Sequence, residues 1–306
     1  MTMTAILFAG DDEDVVESSV RHNLHHVDAV FVVGIDSRDR TGEIVGKIAA
    51  EGLPVAWTAA PGESTRRSFA AAALRHLAGQ EAVRHIVILG ADTFIEGPPT
   101  ALRDAVLCAP DAVHLLPRRL RVPTEGDDWS EADPYLRLTH TRMMEFDQRF
   151  VAVIPRVRFA EAPIHPGGLF GEADLPDAAV VEDLEALQLP IRNACQLPGI
   201  VAARVRELAL DSAAGLPDRR ERVRFWMRMG EIVRDRPLLA PERLREAAAS
   251  YEAQDPVPLA EDRPHPFTGH AIRYPADSAI GLDRANAMIE DIHRTSATRI
   301  REALRV

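Results

Sequence analysis

The feature that most constrains this chain is an alternation running through its N-terminal third: a short continuous apolar run, a polar or acidic loop, then apolar residues at helical spacing. Thr4-Ala5-Ile6-Leu7-Phe8 meets Gly10 and the acids Asp11-Asp12-Glu13-Asp14, and Val15, Val16, Val20 and Leu24 then recur on one helix face, with an aspartate available as N-cap. Ala29-Val30-Phe31-Val32-Val33 opens a second unit whose helix is marked by Ile44, Val45 and Ile48 and ends at Gly52-Leu53-Pro54. A third strand, Val55-Ala56-Trp57, leads to an alanine-rich helix from Ser64 to Leu77, and a fourth, His85-Ile86-Val87-Ile88-Leu89, reaches Asp92. Continuous apolar strands alternating with amphipathic helices predict a parallel sheet covered on both faces, with ligands at the carboxyl ends of its strands.

Two loops at that edge carry acids. Gly34-Ile35-Asp36-Ser37-Arg38-Asp39-Arg40-Thr41 follows the second strand and opens a helix, and Gly90-Ala91-Asp92-Thr93-Phe94 follows the fourth. Paired acidic loops of this kind suit a nucleotide held through its base, its ribose and a metal-bound diphosphate.

Composition narrows the partners. Apolar residues are 46% and charged residues 27% of 306, which suits a globular chain with a full core. The formal charge of −11 argues against a nucleic-acid backbone or an anionic membrane as the main partner. Cys108 and Cys195 stand in unrelated contexts without zinc spacing, which favours two inert buried thiols in a reduced compartment. Residues 4–9 lack a basic stretch before them and run directly into four acids, so neither a signal peptide nor a membrane span is expected, and the chain is expected in the cytoplasm.

Beyond residue 110 the alternation loosens. Ala112-Val113-His114-Leu115-Leu116 and Phe150-Val151-Ala152-Val153-Ile154 read as strands, and the polar stretch from Arg118 to Pro134, with Trp129, reads as a flap over a site. After Ala194 the chain reads mostly helical, and Phe225, Trp226, Met229, Ile232 and Val233 read as helix packing. His22, His25 and His26 read as surface residues, because no carboxylate arrangement beside them points to zinc.

The order Asp11-Asp12-Glu13-Asp14-Val15, Arg21-His22-Asn23-Leu24, Val32-Val33 through Ser37-Arg38-Asp39-Arg40-Thr41, and Leu89-Gly90-Ala91-Asp92-Thr93-Phe94 resembles family 2 glycosyltransferases of the GT-A fold. The likeness is greatest to the bacterial branch with an Asn-Glu-x-Asp opening, a Ser-Thr-Asp-Gly-Thr second loop and an Asp-Ala-Asp-Glu-Phe metal loop. Leu189-Pro190-Ile191-Arg192-Asn193-Ala194-Cys195-Gln196 is similar to that branch's His-x-Pro-x-Arg-Ser-x-x-Gln signature. Four departures stand out: Gly34 and Ile35 where the branch has a base-binding aspartate, Gly90 for the first metal-loop acid, Thr93 for its glutamate, and Gln188 for the signature histidine.

The resemblance implies an α/β, Rossmann-like GT-A domain over residues 1–205, a mixed and mainly parallel sheet flanked by helices, followed by a mostly helical extension over 206–306. It implies inverting transfer of a sugar from a nucleoside-diphosphate sugar to an acceptor, assisted by Mg²⁺ or Mn²⁺. Asp92 is then the candidate metal ligand, with His165 beside the diphosphate. Asp12, Asp36, Ser37 and Asp39 would read base and ribose, and Arg66 and Arg192 would meet phosphate oxygens. Asp174 or Glu172 would take the acceptor's proton, flanked by Gly167, Gly168 and Gly171.

Plainer roles stay open for each: Asp12 and Asp39 or Thr41 as helix caps, Asp92 as a turn cap, His165 and the late acids as solvated loop residues. A catalytically silent nucleotide-sugar-binding protein is the main alternative. A nucleotidyltransferase is weaker, since its first loop would be glycine-rich and basic. The acceptor, whether small molecule, glycan or peptide, and self-association into a homo-oligomer are both left open.

Overall fold

A computed structural model describes residues 2–35, 37–60, 72–73, 75–77, 79–124, 126–142, 149–159, 169–171, 177–192, 256–258, 272–276 and 287. The alternation of the N-terminal third appears as β1 (Thr2–Ala9), α1 (Val16–Asn23), β2 (Ala29–Ile35), α2 (Thr41–Ala50), β3 (Val55–Ala60) and β4 (Val83–Gly90). Then come β5 (Thr93–Glu96), α3 (Ala101–Cys108), β6 (His114–Val122), α4 (Pro134–Arg137), β7 (His140–Arg142), β8 (Arg149–Pro155), β9 (Leu169–Gly171), β10 (Ala179–Val180), β11 (Glu185–Gln188) and β12 (Pro256–Pro258). The helix expected from Ser64 to Leu77 lies mostly outside the described residues.

The main sheet runs β12-β7-β6-β8-β4-β1-β2-β3. β1 pairs in parallel with both β2 and β4, and β2 with β3, while β8 lies antiparallel between β4 and β6. The result is a mixed, mainly parallel, Rossmann-like α/β sheet with helices against it. Register decides where its ends fall: Ala9 stands opposite Gly34 and Phe8 opposite Gly90. The chain therefore leaves β1, β2 and β4 at one edge, and the acidic loops share that edge.

The strands lack polar alternation because both faces are covered. Ala5, Leu7, Val32, Val87 and Leu89 pack with Val16 and Val20 of α1 and Ile44, Val45 and Ile48 of α2. Ile6, Phe8, Val33, Ile86 and Ile88 pack on the other face with Leu77, Leu115, Ala152, Ile154 and Phe159. Each such aliphatic side chain contributes about 1.5–3 kcal/mol on burial, so the central strands anchor the loops at their ends.

Three expectations are corrected. Cys108, expected buried, is exposed in the last turn of α3, on the side of the helix away from Leu102 and Val106, which are buried. The stretch from Arg118 is not an open flap, because β6 continues to Val122 with Leu116, Leu120 and Val122 buried, and Asp127 and Asp133 are buried in the segment that follows. His22 and His26 are core residues, 0% and 1% exposed, packed with Phe94 and Tyr135 around the His22 ring. His22 Nε2 lies 2.7 Å from the Ile95 carbonyl, so the polar ring is tolerated by a local partner that sequence spacing does not reveal.

Two described pieces of the C-terminal region return to this domain. Pro256–Pro258 adds β12 antiparallel to β7. Residues 272–276 lie on α1 and α2: the Tyr274 N–H donates to Glu17 at 2.7 Å, its hydroxyl donates to Glu51 at 2.8 Å, and Lys47 sits over its ring. Among the described residues no helix is long and apolar enough to cross a membrane.

Gly34 has a packing reason. A methyl group there would stand 2.0 Å from the Trp57 ring, and one at Gly42 would stand 2.9 Å from the same indole. Trp57 of β3 thus fills the space between the end of β2 and the start of α2, where the related pattern would place an acid. Gly34→Ala is expected to destabilise the chain by roughly 1–3 kcal/mol through overpacking, and Trp57→Leu in the same chain to recover part of that loss. Urea unfolding of the two single variants and the double variant checks this; additive losses would show that the two residues do not meet.

Candidate functional site

The loops after β1 and β2 are stitched together through their own carboxylates. Asp39 Oδ2 accepts the Glu13 N–H at 2.8 Å, and its Oδ1 accepts the Ser37 hydroxyl at 3.1 Å and the Thr41 N–H at 2.9 Å. In return, the Asp12 N–H donates to Thr41 Oγ1 at 3.0 Å, the Arg38 N–H to Asp11 at 2.7 Å, and the Arg40 N–H to Glu13 at 3.3 Å. Asp39 satisfies the N–H of Thr41, the first residue of α2, from one position before the cap residue Arg40, which has no side-chain cap hydrogen bond of its own. Asp12 caps α1 only with its backbone carbonyl, which accepts the Val15 and Val16 N–H groups. Its carboxylate is turned elsewhere: Oδ2 accepts the Gly10 N–H at 2.7 Å.

Asp12 Oδ1 faces Arg192. This guanidinium is 0% exposed. Its Nη2 donates to Asp12 Oδ1 at 2.7 Å and to Asp14 Oδ1 at 3.0 Å, its Nε to Asp14 Oδ2 at 3.0 Å, and its Nη1 to the Leu189 carbonyl at 3.1 Å. Burial alone lowers the proton affinity of Arg192, but Asp14 and then Asp12 raise it further, so the group stays charged. The residue read as a phosphate ligand is thus enclosed with two carboxylates of the β1 loop, and Arg137 Nη2 donates to its carbonyl at 3.0 Å.

The same segment reaches the β4 loop. β11 pairs antiparallel with β5, which sets Gln188 opposite Thr93, and the Leu189 N–H donates to the Asp92 carbonyl at 2.8 Å. Gln188 Nε2 donates to Asp92 Oδ2 at 3.1 Å, and Thr93 Oγ1 donates to Asp92 Oδ1 at 3.2 Å. Asp12, Ser37, Asp39, Asp92 and Arg192 are therefore linked, directly or through one residue, around one edge of the sheet. Asp36, Arg66, His165, Glu172 and Asp174 lie outside the described residues.

Sequence reading missed Asp14, Thr41, Gln188 and Arg118. Thr41 was weighed only as a cap, and Gln188 was seen only as a departure; nothing in the spacing announces Arg118, whose Nη1 donates to Gln188 Oε1 at 2.9 Å.

For a divalent cation the test is the donor set. Among the described residues no group of three or more His, Cys, Asp or Glu side chains could hold a metal. Asp92 offers one half-buried carboxylate at the loop. Among the described residues that donor set fits a Mg²⁺-like ion which keeps its waters and takes one or two carboxylates together with substrate phosphates.

The rim carries strained charge. Burial, then the neighbouring carboxylates of Asp39 and Asp12, hold the Asp11 carboxyl up at about 6 despite its hydrogen bond from Arg38. Burial likewise raises Asp39, against the hydrogen bonds from Thr41 and Glu13 that lower it.

No family model matches this chain, and no curated protein matches it. Solved structures similar to it include a mannosyltransferase from Pyrobaculum calidifontis in complex with GDP-Man and Mn²⁺, at 15% identity and TM-score 0.40, over 99% of this chain and 85% of that one. GalNAc-T7 with UDP, GalNAc and Mn²⁺ is similar at 9% identity and TM-score 0.42, over 83% of this chain and 58% of that one. HddC from Yersinia pseudotuberculosis complexed with GMP-PN is similar at 11% identity and TM-score 0.38, over 61% of this chain and 93% of that one. At such identity and overlap these likenesses carry no argument about activity.

Two outcomes follow from the charges. Arg192→Ala leaves Asp12 and Asp14 without their buried partner and is expected to destabilise the ligand-free chain by about 3–5 kcal/mol, with Arg192→Lys intermediate. Chemical unfolding measures this, and an Ala variant as stable as the parent would contradict the buried ion cluster. For Asp11 the folded chain holds the proton up to about pH 6 whereas the unfolded carboxyl loses it near 3.8, so its stabilising contribution is full below that lower value and lost as pH rises through the upper one. Asp11→Asn should therefore raise the unfolding midpoint above neutral pH, by roughly 3–8 °C. The gain should vanish in acid; a pH-independent gain would remove this cause.

Proposed function

We propose that the chain is an inverting glycosyltransferase of the GT-A type, moving a sugar from a nucleoside-diphosphate sugar to an acceptor. The observation that supports this reading is that the segment Gln188 to Arg192, which resembles the branch's late signature, bonds to both the β1 and β4 loops at one sheet edge, where Asp39 and Thr41 join the β2 loop to the β1 loop. A set of motifs far apart in the chain gains meaning when their side chains bond to one another.

In this reading Ser37 and Asp39, with Asp36, meet the ribose and base, whose hydroxyl and N–H donors suit carboxylate acceptors. Asp12 keeps its orientation from Gly10 and Arg192, so Arg192 reaches the donor through Asp12 and supplies compensating positive charge. Asp92, with His165, would hold a Mg²⁺ or Mn²⁺ ion that arrives with the diphosphate and stabilises the leaving charge. Arg66 adds a second cation for phosphate oxygens. The acceptor hydroxyl attacks the anomeric carbon, the bond from that carbon to the diphosphate oxygen breaks, and the hydroxyl proton passes to Asp174 or Glu172. Such displacement inverts the anomeric centre.

Residues 1–205 are read as the nucleotide-sugar-binding and catalytic domain and 206–306 as a mostly helical extension. The acceptor is a small molecule, a glycan or a peptide, the chain acts in the cytoplasm, and a homo-oligomer is compatible with this scheme.

One observation favours a second reading, a nucleotide-sugar-binding protein that no longer turns its donor over: Gly90 leaves Asp92 as the only carboxylate at positions 90 to 92. Slow donor hydrolysis without acceptor separates the two.

A thermal-shift panel of UDP, GDP, TDP and CDP with and without Mn²⁺ tests the binding reading. One diphosphate should raise the midpoint more than the others, and more with Mn²⁺; at about a hundredfold excess over Kd the gain is roughly 2.7 kcal/mol. Asp92→Asn should abolish both the Mn²⁺-dependent gain and donor turnover while leaving the ligand-free midpoint nearly unchanged. No shift with any nucleotide would remove the proposed function.

A further inference from the structure

Gly90 closes β4 beside Ala91, whose N–H donates to the Phe8 carbonyl at 2.8 Å. A methyl group on Gly90 would stand 2.4 Å from Asp92 Oδ1, 3.3 Å from Thr93 Oγ1 and 3.6 Å from Asp92 Cγ. The Asp92 carboxylate is thus folded back over Gly90, into the volume that any larger residue there would need. Only a glycine at 90 admits this arrangement.

Two donors fix the carboxylate there, Thr93 on Oδ1 and Gln188 on Oδ2. The Gln188 amide has one permitted orientation. Arg118 can only donate and a carboxylate can only accept, so Oε1 must face Arg118 and Nε2 must face Asp92. The β6–β11 pairing, Ala186 opposite Arg118 and Gln188 opposite Leu120, holds both side chains in reach.

We propose that Gly90, Gln188 and Arg118 are positioning residues for Asp92: an empty volume, a directed amide and a charge behind it set the orientation of the one carboxylate in this loop. The inference rests on the reading of Asp92 as the acid that meets the diphosphate-bound cation. With a single carboxylate, orientation matters more than in a loop with two, since no second acid can compensate for a turned side chain. Partners that orient a ligand in this way are typically worth about 10–100-fold in metal affinity.

The full chain is titrated calorimetrically with UDP and with GDP, each in excess Mn²⁺ and in EDTA, and the ratio of the two affinities is the metal-dependent gain. Gly90→Ala and Gln188→Leu are each expected to reduce that gain about tenfold or more. Gly90 shows no left-handed backbone and the clash is with the end of one side chain, so the Ala variant should unfold near the parent's midpoint. Combined with Asp92→Asn, neither variant should cost anything further, a non-additivity that a merely structural role would not produce. If Asp92→Asn loses the gain while Gly90→Ala and Gln188→Leu keep it, the inference is overturned and the reading of Asp92 survives. If the parent shows no gain, or Asp92→Asn keeps it, the reading of Asp92 fails and takes the inference with it.

Discussion

A charged guanidinium enclosed inside the fold sets the terms for the rest of the structure. Arg192 and its partners Asp12 and Asp14 are separated by 180 and 178 residues of chain, and their contact ties the loop after β1 to the segment after β11. A buried charge is costly to leave unpaired, often by several kcal/mol, so the pair cannot loosen gradually; it is made or the fold is not. Two carboxylates share this one cation, and Asp12 is held from both sides, its other oxygen accepting the Gly10 N–H. The shape of the first acidic loop is thereby dictated from the far end of the domain.

The parallel register supplies what the ion cluster cannot. Because Phe8 aligns with Gly90 and Ala9 with Gly34, three loops leave the sheet at the same level, and only short side chains are needed to join them. Asp39 and Thr41 exchange contacts with Glu13 and Asp12 across the first two loops; Asp92 is joined to the others through Gln188 and Leu189. Trp57 completes the arrangement from below, since its indole over Gly34 and Gly42 sets how closely α2 can approach β2.

Much of this was legible in the residues, and the boundary of legibility has a physical cause. Strands such as Ala29–Ile35 announce themselves because a strand buried on both faces must be continuously apolar, and Ile44, Val45 and Ile48 announce a helix by period. Both are local signals. Arg192 was visible as a residue of interest, yet its partners were not, because pairing across the domain leaves no trace in spacing. His22 and His26 read as surface residues for want of a carboxylate arrangement beside them, yet His22 is enclosed by Phe94, Tyr135 and the Ile95 carbonyl, all contributed by distant segments. The stretch from Arg118 to Pro134 reads as a flap because its arginines mask the strand residues Leu116, Leu120 and Val122, whereas Arg121 lies buried over the Tyr135 ring. Gly34 and Gly90 were seen only as missing acids. Each is a space that another side chain fills, and a space is not written in one position of a sequence.

The two glycines also bear on how a rim of acids could receive an anion. At about 4 Å, two like charges in a partly buried site repel by about 4 kcal/mol, so a bare diphosphate is turned away from Asp12, Asp39 and Asp92. Asp11 and Asp39 already register that repulsion through raised proton affinity, burial being the larger cause in each. Further acids at 34 and 90 would deepen the repulsion and strengthen capture of a free cation. In the proposed reading their absence shifts the balance the other way: such a rim would bind a lone cation weakly and resist a phosphate less, so a cation and a diphosphate entering as one neutralised unit would be favoured over either alone. Linkage makes that preference mutual, each ligand raising the affinity for the other by the same factor. If the proposed function holds, a one-carboxylate loop divides the labour differently, the ligand's own phosphates supplying the oxygens that a second acid would otherwise provide.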